Sequence, residues 1–405
     1  VVLEIPRRAR DARGWGDGLT KAAGKAMATL RHLAALRLPP ALVFHEVTRS
    51  LMDIAPFETA TLVTYGPNLE PTDSFLTHEI SPDVTRQYFT RWYNRDERRY
   101  VPDHAQAAAG RAPDVFAVSA YAPNIAETEL YDEVWRHLGF RHMAALTLRQ
   151  GGRAAAHMGL GRPTGSDFTA AELGRFAAAA DFAAMAVSGG PASEGWLQTD
   201  ALVEIETALV VADAQGEPQQ LSAVAWRLLQ WACLAYQDMA VVRACLAGNG
   251  HNDVYAWARP ILAELARRVS AGVRGQPAPP ALLRRRSPHG EFVLRAFALH
   301  QGVPGGDVQH IAVEIQRHAP LEVRLFASDL FRSFTAQEQL VARLLVRGDS
   351  QADIAQALGI SPHTVVSHVR NIYRRTAATS RETLTAALLP GPDAGLPGFP
   401  GGAGT

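Results

Sequence analysis

SQADIAQALGISPHTVVSHVRNIYRRT, residues 350–376, is the stretch on which the reading of this chain turns. Ser350 and Asp353 have the spacing of a capping box, in which a hydroxyl and a carboxylate three residues apart satisfy backbone N–H groups at a helix start. The helix they open carries Ile354, Ala355 and Leu358 and stops at Gly359. Ser361-Pro362 then supplies an N-cap with proline at the first helical position, where its missing N–H costs nothing. At about 100° per residue the helix that follows has two faces. Val365, Val369 and Ile372 fall on one, and His363, Val366, Ser367, Arg370 and Arg374 on the other.

Outward from this core, Thr335 and Glu338 form a second capping box, opening a helix that carries Leu340, Val341, Leu344 and Leu345 and stops at Gly348, while Ser380 caps a fourth helix. Four short capped helices with a glycine-containing turn between the second and third make a helix-turn-helix unit with a trailing helix. The apolar face of helix three packs on helices one and two, and the polar face has the reach of a major-groove reader. Arg370, Arg374 and Arg375 meet no acidic residue within helix three, whereas a merely solvated face would mix signs.

Residues 334–389 resemble the LuxR DNA-binding family. Ile354-Ala355, Leu358-Gly359-Ile360-Ser361, His363-Thr364-Val365, His368-Val369-Arg370-Asn371-Ile372-Tyr373 and Ser380-Arg381 stand in the family's order and spacing, as do Glu338 and Gly348. The resemblance implies phosphate contacts from Ser361 and Thr364 and base-edge contacts from Ser367 and Arg370. Val366 stands where the family usually has lysine, which replaces a polar groove contact with one suited to a thymine methyl. Thr376-Ala377-Ala378 departs from the usual Leu-Gly-Val before helix four. The implied partner is double-stranded DNA bound by a homodimer, because one such unit offers too little interface for tight, selective binding.

Upstream text changes period twice. From Phe57 it is strand-like through residues 60–65 and helical around 84–99; strands at 144–149 and 154–161 then flank Gly151-Gly152, and Thr169 and Glu172 cap a helix running to about Val187. This order resembles a GAF domain. After a Gly/Pro/Ser linker, residues 208–213, an Asp-x-x-Gly turn, residues 220–222 and an apolar helix from Ala223 resemble the opening of a PAS domain, and strands at 291–300 and 309–317 close its sheet. The expected fold is multidomain: two α/β (α+β) sensor domains of GAF and PAS type followed by an all-α, four-helix LuxR-type unit. Its expected divisions are an N-terminal extension (1–36), a GAF-like domain (37–188), a PAS-like domain (200–318), a stiff amphipathic connector helix (319–333), the helix-turn-helix (334–389) and a disordered Pro/Gly-rich tail (390–405).

Composition narrows the function classes. The 405-residue chain has zero formal net charge, so charge for nucleic acid must be local. Lys21 and Lys25 are its two lysines, and neither precedes Ser or Thr, so no phosphate loop is encoded and no late lysine serves a phosphoacceptor receiver domain. Cys233 and Cys245 form no disulfide framework and read as buried structural residues, and the histidines, His137, His142 and His157 among them, lack ligand spacing; neither metal nor cofactor is expected. No catalytic elbow or paired metal motif supports an enzyme, although residues 1–330 leave room for one. A protein-interaction scaffold that has lost DNA is a second alternative, opposed by Arg370 and Arg374. With no apolar run long enough for a membrane span and no secretory leader pattern, the expected location is the cytoplasm. Tyr88, Trp92, Tyr93 and Trp135 either pack as core, the commoner use of aromatics at helical spacing, or line a pocket for an unknown small molecule.

Overall fold

Two antiparallel five-stranded sheets with the same strand order account for the strand-like text ahead of the helical C-terminal segment. The computed structural model describes residues 21–66, 68–77, 80, 84, 87–188, 202–233, 258–300 and 308–389. The chain divides into two compact units between Pro191 and Ala192.

In the first unit, β1 (Thr59–Tyr65), β2 (Pro71–Leu76), β3 (Val115–Ala117), β4 (His142–Gln150) and β5 (Arg153–Arg162) lie in the order β2-β1-β5-β4-β3. The β4–β5 hairpin turns at Gly151 and Gly152, with φ of 60° and 82°, the two left-handed residues that a two-residue hairpin loop requires. Helices α1 (Lys21–Leu36), α2 (Pro40–Ile54), α3 (His104–Ala108) and α4 (Ala170–Val187) complete the unit. Thr169 and Glu172 cap α4, and its buried Ala179, Ala183 and Ala186 let α1 and α2 approach closely. Two expectations are corrected. Residues 21–36, expected to fall within an N-terminal extension, form α1, which packs on α2 and α4 with Ala26, Leu30 and Leu33 buried. The helical text around 84–99 does not make one helix. It is broken into a five-residue wide turn at Tyr88–Trp92 and a 3₁₀ turn at Asp96–Arg99, separated by Asn94 at φ 54°.

The second unit contains β6 (Leu202–Asp213), β7 (Pro218–Leu221), β8 (Leu282–Ser287), β9 (Gly290–Leu299) and β10 (His310–Pro320), ordered β7-β6-β10-β9-β8, with α5 (Ala223–Cys233) and α6 (Arg259–Val273). Val210, Leu228, Leu262, Leu265, Leu294 and Val313 belong to one buried cluster between sheet and helices. At its margin Arg317, buried on β10, donates to Glu206 Oε2 at 2.6 Å and to the His289 carbonyl at 2.7 Å, while Arg227 donates to Glu206 Oε1 at 2.6 Å. Burial alone would raise the Glu206 carboxyl, but the two guanidinium groups hold it below its ordinary range. A buried ion pair of this kind specifies register more than it adds stability: a slip of one residue would strand the charge. Cys233 is half-buried with its thiol pushed up to about 12 by desolvation, in keeping with a structural role; Cys245 lies outside the described residues, as do the tail at 390–405 and residues 1–20.

The connector is also corrected. Pro320 starts it as expected, but it forms two short helices, α7 (Leu321–Ala327) and α8 (Asp329–Ser333), broken at Ser328, which is extended (φ −77°, ψ 120°) and caps α8 through its hydroxyl. In a continuous helix Phe331, five residues on, would point about 140° away from Phe326; the bend returns Phe331 edge-on to Phe326 at 5.3 Å. Four helices follow: α9 (Ala336–Arg347), α10 (Gln351–Leu358), α11 (Pro362–Thr376) and α12 (Arg381–Leu388).

Backbone conformation yields opposite predictions at two positions. Ala377 ends α11 in the left-handed region at φ 54°, where a Cβ is strained, so Ala377→Gly raises stability by about 1 kcal/mol. Gly216 has φ 89°, and a Cβ there would collide with the backbone of Leu262 and Ala263, so Gly216→Ala lowers stability by about 2 kcal/mol or more. Urea unfolding of each variant measures both signs.

Candidate nucleic-acid interface and ligand cavity

Each helix of the C-terminal segment is delimited by the residues that its sequence nominates. The Thr335/Glu338 and Ser350/Asp353 capping boxes are formed, and Gly348 (φ 108°) and Gly359 (φ 63°) end α9 and α10 in the left-handed conformation. Ser361 caps α11, accepting from the Thr364 N–H at 3.1 Å and sharing a hydrogen bond with the Thr364 hydroxyl at 2.8 Å. Both hydroxyls therefore sit at the positive end of the helix dipole, the place for a phosphate.

Val365, Val369 and Ile372 are buried against the neighbouring helices. On the opposite side His363, Val366, Arg370 and Arg374 are exposed, with Val366 at 48 %. Ser367 lies among them half-buried, its hydroxyl donating to the His363 carbonyl at 3.0 Å, and Arg374 donates to Asn371 at 3.2 Å. The sequence-nominated residues thus share one exposed helix face. The burial of an exposed valine there gains little in the free protein, whereas apolar contact in a groove would use it.

Arg375 departs from its expected role as uncompensated charge. It donates to Glu338 Oε2 at 2.9 Å and to the carbonyl and hydroxyl of Ser333 at 2.7 and 2.9 Å, and lies over the Phe334 ring. It is a structural clamp, invisible in the helix-three text because its acidic partner lies 37 residues upstream on α9. Arg381 is similarly occupied, donating to the carbonyls of Gly348 and Asp349.

The first unit holds a cavity of about 80 Å³ between the sheet and the segment around residues 80–140. Tyr88 and Trp135 line it. Trp92 and Tyr93 do not: Trp92 is buried, donating to Glu133 at 2.9 Å beneath Arg91, and Tyr93 packs on Phe89 and His104. The other polar lining residues, Thr61, Ser74, Glu97, His104 and His157, were not singled out as pocket residues by the sequence.

Tyr88, Glu97 and His104 form one hydrogen-bonded network. With Glu97 ionised, Tyr88 gives its hydroxyl proton to Glu97 Oε2 at 3.0 Å, and its contact with His104 Nε2, also 3.0 Å, then has that nitrogen as donor. His104 Nδ1 then accepts from the Tyr65 hydroxyl at 2.6 Å. His104 is accordingly neutral, as its burial demands, with its pKa pushed well below the ordinary value by desolvation and by nearby His157. Burial lowers His157 to about 4 and raises Glu97 to about 7. His157 Nδ1 is buried without a hydrogen-bond partner among the described residues. Among the described residues no arginine or lysine lines the cavity, and its walls are otherwise mostly apolar. Among the described residues no cluster of His, Cys, Asp or Glu has the makings of a metal site, and no helix is long and apolar enough to cross a membrane.

Comparison with known proteins places the C-terminal geometry. Residues 332–388 match the family model GerE, bacterial regulatory proteins of the luxR family. This segment is a LuxR-family DNA-binding regulator domain. No curated protein matches the chain. Similar solved structures include a phage VqmA–DPO complex (18 % identity, 45 % of this chain and 81 % of that chain, TM-score 0.17) and the Vibrio cholerae VqmA dimer without target DNA (14 %, 51 % and 89 %, 0.17). A third is the Vibrio cholerae VqmA–ligand–DNA complex (15 %, 50 % and 86 %, 0.21). TM-scores this low carry no argument about the arrangement or ligands of the present chain.

The exposed and clamped arginines separate experimentally. Arg370→Ala weakens binding to a selected duplex by about 1–3 kcal/mol and leaves thermal stability unchanged. Arg375→Ala removes charge-assisted hydrogen bonds and lowers stability of the second unit by about 1–3 kcal/mol. Gel-shift titration and thermal unfolding of the same two preparations check the distinction.

Proposed function

We propose that this chain is a sequence-specific transcriptional regulator that acts in the cytoplasm, binds duplex DNA as a homodimer through α11, and responds to a small molecule held in the first unit. The observation that carries the reading is the exposed face of α11, where His363, Val366, Arg370 and Arg374 stand together within a LuxR-family segment. In this reading Ser361 and Thr364 hold a phosphate at the helix N-terminus, and Val366, Ser367 and Arg370 read base edges while His363 and Arg374 flank them.

The two sheet units serve as sensor domains, the first of GAF type and the second of PAS type. The first supplies a cavity whose neutral histidines and mostly apolar walls suit an uncharged, largely apolar molecule, with no cationic side chain among the described lining residues and His157 Nδ1 left for one hydrogen bond. Mass spectrometry of small molecules released from the purified chain identifies such a ligand.

Footprinting on a duplex recovered by selection tests the assembly. A dimer protects two inverted half-sites whose centres are about one helical turn apart, roughly 10 base pairs. Protection of a single half-site at saturation contradicts the dimeric reading, and absence of selected binding contradicts the DNA-binding role.

A further inference from the structure

Of the seven large apolar side chains that stand exposed among the described residues, three share one face of the second sheet: Leu209 at 53 %, Phe297 at 49 % and Leu299 at 39 %. Strand alternation explains the placement. Val210, Ala212, Leu294, Ala296, Ile311 and Val313 point into the core, so residues 209, 295, 297, 299, 312 and 314 point to the opposite side. An antiparallel sheet with one solvated face ordinarily carries polar residues there, and these positions break that rule.

The register makes the face self-complementary. Glu314 on β10 lies between Leu209 on β6 and Arg295 on β9, and Ala312 lies beside Phe297. Arg295 is exposed and Glu314 half-exposed, and neither is in an ion pair among the described residues. A two-fold axis parallel to the strands, running between β9 and β10, brings each Glu314 over the Arg295 of a second copy. The same operation sets each large Phe297 over the small Ala312 of that copy, and Leu209 over Leu282, which pairs with Arg295 on β8. Charge and size are thus matched by one operation, as an isologous interface requires.

We propose that this outer sheet face is the surface on which two copies of the chain dimerise. The inference rests on the dimeric reading given above and names the surface that carries it. Two strands that face water in one chain become the centre of a sheet-on-sheet packing in the pair.

Sedimentation equilibrium of the full chain without DNA tests it, with thermal unfolding as a check that each variant is folded. Phe297→Glu raises the dimer dissociation constant by about tenfold or more, since an apolar anchor at the interface centre is replaced by a buried charge. Glu314→Arg and Arg295→Glu each weaken association several-fold, and the double reversal Glu314→Arg/Arg295→Glu restores it. A wild-type chain that stays monomeric at about 50 μM, far above the affinity of a stable dimer, overturns the proposal. So does a folded Phe297→Glu chain that dimerises as tightly as wild type, which would leave this face to another partner or to the first unit. Selected-duplex binding by the same preparations separates the outcomes: a variant that loses dimerisation but keeps its sequence preference leaves the DNA-reading role standing.

Discussion

The Glu338–Arg375 pair is the constraint on which the placement of the recognition helix depends. Glu338 already accepts from the Thr335 N–H as half of a capping box, so its carboxylate is fixed before Arg375 reaches it. Arg375 comes from the last turn of α11 and also engages Ser333 at the end of α8, with Phe334 under its guanidinium. One side chain therefore joins the reader helix, the first helix of its own domain and the connector. The apolar contacts of Val365, Val369 and Ile372 hold α11 down without fixing its rotation about the bundle; a directional, charge-assisted set of hydrogen bonds supplies that.

From Ser333 the chain of contacts runs back to the second sheet. Gln339 on α9 donates to the Phe331 carbonyl, Arg343 pairs with Glu322 at 3.9 Å, and Arg324 donates to the Glu204 carbonyl on β6. The connector is thus a bent, cross-braced joint rather than a rod. A bend at an extended residue offers two segments that can shift relative to one another, whereas a continuous helix offers one.

The helix-turn-helix was legible because its signals are local. Caps, C-terminal glycines and a 3.6-residue apolar period lie within a few residues of the backbone groups they govern, and Ser361, Gly348 and Gly359 act where the sequence places them. What was misread depended on distance. Arg375 looked free because Glu338 lies on another helix, and the connector looked continuous because its apolar spacing suits a helix while Ser328, which breaks it, is extended. Of the four aromatics weighed between core packing and a pocket, Tyr88 and Trp135 line the cavity, Trp92, bonded to Glu133, and Tyr93 pack beside it, and the lining histidines His104 and His157 were not among them. One signal for His157 was present: its phase on β5 holds Ala155, Gly159 and Gly161, residues too small to fill the space beneath a sheet, with a single histidine among them.

The central claim, that the exposed face of α11 selects the DNA sequence, is tested most directly by selecting duplexes from a random pool with the wild-type chain and with a chain in which His363, Val366, Ser367 and Arg370 are replaced together. The account predicts a changed recognition sequence at the positions these side chains face, with the half-site spacing retained because the bundle and the dimer are untouched. An unchanged selected sequence would contradict it and assign base reading to another surface.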